Sequence, residues 1–419
     1  MFEKIKLFLS KKTEIPDQVR DDTIMDSGQA RMTNKPITDT FCCPYCQSKN
    51  FVRRGLRIKK RENVQLYLCK DCGKTFTPHS VSGKHYPLAT IFDAISLYNL
   101  GYSLEESCRK TNNAVGVGSP DPSLISPATL SSWIEQFKED LPFLRMRNFA
   151  TAKFKPQDMI ITATLAHRQL YRFRFHRAKC RLIMQENFHH RLFTPLVEFL
   201  EMVPGECPHQ YFQDGQRASE TPLTFSKTAM IVRGKTNYAT KLAAFVLQGA
   251  KERKNRHEIL QKFMLYNDSV TVATEVPVYL TRDDLEHMQT QLGFEIFVGA
   301  RSSRPGGETP PLPKLITGHI DFVQIRNGMI HLLDFKPNAE KERPIEQLTL
   351  YAMALSRLTG LRLFEFKCAW FDEKDYFEFY PLHVLHKPKK AIRRRKVETD
   401  EGTYLVNKNS VKIDSIRPI

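Results

Sequence analysis

Asp321, Asp334 and Lys336 are the residues whose types and spacing carry the most chemistry in this 419-residue chain. Asp321 lies six residues before Asn327, and Asp334 lies six residues after Gly328. Asn-Gly between apolar runs signals a tight hairpin. Ile320 to Ile325 and Met329 to Phe335 are rich in β-branched and apolar residues, so both read as strands. Antiparallel pairing across the turn brings the two carboxylates together. Period-two alternation puts Lys336 on the face of Asp334. Two carboxylates and an ammonium on one sheet face are costly to bury unless something binds them. A divalent cation does so, and hard oxygen ligands suit Mg2+ or Mn2+. Such an ion polarises a phosphoryl oxygen and lowers the pKa of water. Lys336 is placed to stabilise charge on a phosphate. The plainer alternative is a surface hairpin with a cross-strand charge pair.

The pattern continues on both sides. Gly318-His319-Ile320-Asp321, Leu332-Leu333-Asp334-Phe335-Lys336 and Gln347-Leu348-Thr349-Leu350-Tyr351 follow one another in the chain. They resemble, in order, the Gly-x-x-Asp, hydrophobic-Asp-x-Lys and Gln-x-x-x-Tyr motifs of the RecB-like branch of the PD-(D/E)xK nuclease superfamily. The resemblance covers the C-terminal part of the chain, residues 241–385. It implies an α/β restriction-endonuclease-like core with a mixed central sheet flanked by helices, and a metal-dependent DNA nuclease that hydrolyses phosphodiester bonds. It also implies that Asp321 and Asp334 hold Mg2+ or Mn2+, that Lys336 assists the attack, and that Gln347 and Tyr351 place the strand. Such nucleases carry a histidine on the first core helix. His257, just before Glu258-Ile259-Leu260, is the matching position and the implied third metal ligand. Glu275 fits the first core strand and supports the site. Many relatives add cysteines for an iron–sulfur cluster. In the C-terminal half of this chain only Cys368 is present, so no cluster is expected.

These residues need elements to position them. Leu242 to Phe263 reads as one helix carrying His257. Ile345 to Leu358 reads as another, with Leu348, Tyr351, Ala352 and Leu355 facing inward. Gln347 and Tyr351, four apart, share a face of it. Leu363 to Trp370 and Tyr376 to Tyr380 read as further strands. Arg301 to Pro313 is a Pro/Gly-rich loop before Gly318, either an insertion or a flap. The tail, 386–419, opens with the basic run Lys387 to Lys396, suited to phosphate contact or to solvation.

Near the other end, within 41–85, lie Cys43-Pro-Tyr-Cys46 and Cys69-Lys-Asp-Cys72. Each Cys-x-x-Cys makes a knuckle whose sulfurs point at one tetrahedral ion, and two such knuckles read as a structural Zn2+ site. So short a segment buries little core, so the metal supplies folding energy. Between the pairs lie Arg53, Arg54, Arg57, Lys59, Lys60 and Arg61, a run suited to phosphate contact. The segment resembles the zinc ribbons that begin many insertion-sequence transposases. Residues 86–148 read as helical, with Ser103 and Glu106 as a capping box and Ser126-Pro127 opening a later helix. "GYSLEE" and "SPATLSSWI" resemble the helix-turn-helix of transposases and resolvases, and this implies DNA contact by Trp133. The intervening loop is longer than such a turn allows.

The first 40 residues are polar and read as disordered. Residues 149–240 form a basic linking region of unclear fold. There Leu165 to Met184 has helical spacing, with Tyr171, Phe173 and Phe175 interleaved among cations. That alternation suits either a single-strand grip or a core face backed by a solvated one. The formal net charge of +17 favours a polyanionic partner, nucleic acid before membrane. Five of the nine cysteines are scattered, which is no disulfide framework and suits a reducing, cytoplasmic setting. No apolar run approaches a membrane span, and Met1 to Lys11 lacks a signal-peptide pattern. The chain therefore reads as multidomain: a small β zinc ribbon, an all-α region and a nuclease core. The rival reading is a non-catalytic zinc-ribbon DNA-binding protein of transposon origin, or a transposase. No protein partner is indicated.

Overall fold

The computed structural model describes residues 42–58, 63–77, 86–114, 124–227, 230–235, 237–247, 255–299, 311–386, 394–399 and 402–407. The expected N-terminal segment, Lys59, Lys60 and Arg61, residues 301–310 of the Pro/Gly loop and residues 387–393 of the basic run lie outside them.

Strands β1 (Phe51–Ile58), β2 (Asn63–Cys69) and β3 (Thr75–Phe76) form a small antiparallel sheet near the N-terminus. Its apolar content is little more than Phe51, Tyr67 and Phe76, whose ring centroids lie 5.4, 5.5 and 5.9 Å apart. A core of that size does not hold a fold unaided.

The remaining strands are β4 (Ile161–His167), β5 (Gln169–Phe175), β6 (Gln216–Arg217), β7 (Leu223–Phe225), β8 (Arg233–Gly234), β9 (Thr271–Thr281), β10 (Ile296–Val298), β11 (Leu315–Arg326), β12 (Met329–Phe335), β13 (Phe366–Phe371), β14 (Tyr376–Phe379), β15 (Arg394–Thr399) and β16 (Gly402–Asn407). A large mixed sheet runs β4-β5-β9-β11-β12-β13-β14-β8, with β6 added beside β11. Along that path only β12 and β13 are parallel. A parallel pair needs a crossover, and the helix Ile345–Thr359 supplies it.

The parity of β12 separates the two faces. Ile330 and Leu332 pack with Leu348, Leu350 and Leu355 of the crossover helix. Leu333 and Phe335 pack with Leu88, Ile91 and Trp133. The helices Leu88–Asn99 and Pro127–Phe137 thus cover one face of the sheet and share its core. An amphipathic helix must bury its apolar stripe somewhere, and here the stripe meets the sheet. A buried hydrogen bond from Asn99 Nδ2 to Asn267 Oδ1, at 2.7 Å, ties that layer to the helix Arg256–Asn267. Ser126 caps its helix as expected, accepting from the Thr129 amide.

Two expectations change. The helical spacing read over Leu165 to Met184 holds only for its second half, in the helix Arg177–Glu186. The first half is the β4–β5 hairpin, so the supposed linking region supplies the edge strand and its neighbour to the large sheet. Tyr171-Arg172-Phe173-Arg174-Phe175 alternates with period two, which is the strand period. Phe173 and Phe175 are fully buried, so these aromatics are core rather than a grip for a nucleic-acid strand. The helix expected over Leu242 to Phe263 is two helices, Tyr238–Leu247 and Arg256–Asn267.

Candidate metal centre on the sheet

The hairpin forms as the Asn-Gly signal predicts. Asn327 and Gly328 both take left-handed φ values, 52° and 67°. Pairing runs from Arg326↔Met329 to Phe322↔Leu333, and the next step sets Asp321 opposite Asp334. On the other side of β11, the pairs Ile320↔Val276 and Phe322↔Thr274 bracket Glu275, which therefore faces Asp321 from β9. Glu275 has a φ of 53° in mid-strand. A non-glycine residue held left-handed costs about 1–3 kcal/mol and persists only where its surroundings impose it. Gln261 Nε2 donates to Glu275 Oε1 at 2.6 Å.

His257, in the first turn of the helix Arg256–Asn267, brings Nε2 to 3.1 Å from Asp321 Oδ2. One ligand atom each from His257, Glu275 and Asp321 lie within 4.8 Å of one another. The Phe335 amide donates to Asp321 Oδ2 at 3.0 Å and fixes that carboxylate. Lys336 Nζ lies 3.0 Å from Asp334 Oδ2. The ammonium is the charged partner of that buried oxygen. Gln347 Nε2 donates to Tyr351 Oη at 2.9 Å, with Tyr351 buried beneath. Gly318 is needed at its position: a Cβ there would overlap Tyr351 Cε1. His257, Glu275 and Asp321 are thus brought together, Asp334 pairs with Lys336 on the strand beside Asp321, and Gln347 pairs with Tyr351.

The electrostatics are those of a crowded acidic cluster. Burial, reinforced by the Asp321 charge, holds the Asp334 carboxyl well above the usual carboxylate range. Burial would raise Asp321 too, but His257 beside it wins and holds it low. Burial and then Asp321 push Glu275 up to about 7. For His257 burial opposes the charged form, yet Asp321 and Glu275 raise it to about 9. Lys336 is raised as well, because Asp334 and Asp321 outweigh its burial. Burial raises the Tyr351 phenol, helped by the two aspartates. The proton held by His257 and the pull of Asp334 towards its neutral form both offset the negative charge of the cluster. A metal ion binds deprotonated ligands and displaces such protons. The oxygen-rich donor set, with three largely buried carboxylates facing one another, fits a divalent cation.

The N-terminal sheet holds a second arrangement. Cys43 Sγ lies 3.6 Å from Cys72 Sγ, and Cys46 Sγ lies 3.5 Å from Cys69 Sγ. All four sulfurs fall within 4.8 Å of one another, a cluster compatible with structural zinc. The two knuckles are built alike. Gln47 N donates to Cys43 O at 2.8 Å and Gly73 N to Cys69 O at 3.0 Å. Gln47 and Gly73, each following its second cysteine, have φ values of 59° and 66°. The Cys72 amide, more than any other group, lowers the Cys69 thiol to about 7.

Arg53, Arg54 and Arg57 are exposed on β1, as a phosphate contact requires. Trp133 is not exposed. At 2% exposure it packs edge-on against Tyr86 in the helical layer and is no nucleic-acid contact. The reason is the fold: its helix turns that side to the sheet.

Sequence reasoning missed one group. His167, Cys207 and His209 converge within 4.8 Å. The available signal was Cys207-Pro208-His209, two metal-ligand types two residues apart.

Comparison with protein-family models, with curated proteins and with solved structures gives no match to this chain. Among the described residues no helix is long and apolar enough to cross a membrane.

Proposed function

We propose that this chain is a metal-dependent deoxyribonuclease of the RecB-like PD-(D/E)xK type, targeted by its N-terminal zinc ribbon. The observation that carries this reading is the convergence of His257, Glu275, Asp321, Asp334 and Lys336 from a helix and three adjacent strands. When bound, Mg2+ or Mn2+ supplies Lewis-acid polarisation of the phosphate and activation of water. Asp321, Asp334, Glu275 and His257 are the residues that would hold it. The Phe335 amide keeps Asp321 oriented. Lys336, kept charged by the two aspartates, stabilises the negative charge that grows on the phosphate. Gln347 and Tyr351, hydrogen-bonded to each other beside the carboxylates, align the substrate strand. The net charge of +17 and the exposed arginines of β1 support a nucleic-acid substrate.

The test is cleavage of circular, linear and single-stranded DNA by the full chain with Mg2+ or Mn2+. Wild type is compared with Asp334→Ala and Lys336→Ala. Metal-dependent cleavage abolished by either change supports the reading. Binding to DNA with no cleavage under any condition replaces it with a non-catalytic DNA-binding protein of transposon origin, and strand-transfer products replace it with a transposase.

A further inference from the structure

The cluster His167–Cys207–His209 lies at the β4 side of the large sheet. His167 ends β4, Cys207 follows the helix Thr194–Glu206, and His209 opens the helix His209–Asp214. His167 Nε2 lies 2.8 Å from His209 Nδ1 and 3.8 Å from Cys207 Sγ. Two imidazole nitrogens facing each other beside a sulfur need a proton or a cation between them. The other ring nitrogen of His167, Nδ1, lies 2.8 Å from His319 Nε2. A metal-ligating histidine characteristically uses its second nitrogen in this way, which fixes the tautomer and aims the lone pair. Both rings are clamped. Phe212 stacks on His167 at 4.0 Å and Tyr171 stacks on His319 at 3.5 Å.

We propose that His167 Nε2, Cys207 Sγ and His209 Nδ1 bind a transition-metal ion of the Zn2+ class, with its remaining position open to solvent beside the exposed His209. Thiolate with imidazole selects Zn2+ over Mg2+ or Mn2+. Ligand bonds of about 2.0–2.1 Å to nitrogen and about 2.3 Å to sulfur require the two nitrogens to separate by about half an ångström, a small ring shift. The ion would pin β4 and the short helix His209–Asp214 to one another, and through His319 to β11. It is distinct from the ribbon cysteines and does not rest on the nuclease reading.

The test is the zinc content of the full chain after zinc loading and dialysis against excess Mg2+, measured by plasma mass spectrometry. Cys207→Ser/His209→Ala is expected to hold one zinc ion fewer per chain than wild type. His209→Cys, which keeps a ligating atom, is expected to retain the wild-type count. Equal zinc in wild type and the double variant overturns the proposal and leaves a hydrogen-bonded histidine chain. So does loss of zinc from His209→Cys, which would tie the loss to local packing rather than to ligation. Zinc counting does not depend on DNA cleavage, so failure here and failure of the nuclease reading are separate results.

Discussion

The ribbon and the sheet-face centre solve opposite problems. In the ribbon, four soft ligands come from two loops of four residues each, and the surrounding sheet buries almost nothing else. The ion would carry the fold. In the sheet centre, the candidate ligands, three carboxylates and an imidazole, come from a helix and three strands separated by up to 77 residues, between His257 and Asp334. There a large two-faced core carries the site. That core has stability enough to hold Glu275 left-handed and to bury Asp334 beside a second carboxylate. Where an ion would make the fold, the candidate ligands sit in short local loops. Where the fold makes the site, the candidate ligands are scattered along the chain.

The largest expected effect tests the first half of that contrast. Structural zinc contributes about 10–16 kcal/mol of binding free energy to small zinc domains. Chelation, or Cys69→Ser, should therefore unfold residues 42–77 while the large sheet stays folded. Hydrogen-exchange mass spectrometry reads this directly, and protection of 42–77 surviving without zinc would break the contrast. Next, Asp334→Asn should lower cleavage by about 100-fold or more, the scale seen when a group stabilising transition-state charge is removed. The same change removes the cost of ionising a buried carboxyl. The metal-free melting temperature at pH 8 should therefore rise, by about 2–4 °C per kcal/mol relieved. A fall in both activity and melting temperature would mean that Asp334 supports the fold instead.

The pH dependence follows from the same groups. His257 is raised from 6.5 to about 9, so its stabilising ion pair is complete below pH 6.5 and is lost as pH rises through 9. Glu275 is raised from 4.5 to about 7, so its neutral form stabilises below pH 4.5 and that contribution is lost as pH rises through 7. Both act in one direction. Below pH 6.5 the buried neutral imidazoles of His167, His176, His319 and His331 act the other way, so metal-free stability of the sheet domain should fall between pH 6.5 and 8, while the stabilisation gained on adding Mn2+ should grow. Melting curves across that range check it, and a Mn2+ effect independent of pH would contradict it. The smallest effect concerns the ribbon surface. Arg57→Ala should reduce the slope of log affinity for DNA against log salt by about 0.9, one phosphate contact, and Trp133→Phe should leave it unchanged. Salt titrations by fluorescence anisotropy distinguish the two.

What could be read in advance follows the same division. The cysteine knuckles are legible because each is local and its geometry is fixed by four residues. The β11–β12 hairpin is legible because Asn327-Gly328 sets a register that carries Asp321 to Asp334. The pair Gln347–Tyr351 is legible from helical spacing alone. The burial of Trp133 was not, since an amphipathic pattern says that a stripe is covered but not by what. The role of β4 and β5 was obscured because short cation–aromatic runs admit either period. His167 and Cys207 meet only because an edge strand and a distant helix end pack side by side, and no local pattern encodes that contact.

Gly318 and Tyr351 carry one further consequence. The ring occupies the volume where a side chain at 318 would begin. In terms of permissible substitution the two positions behave as a single locus. While an aromatic stands at 351, position 318 admits only glycine. Exchange at 318 becomes possible once the ring has been replaced by something smaller, so the order in which the two changes arise decides whether a lineage can pass through them.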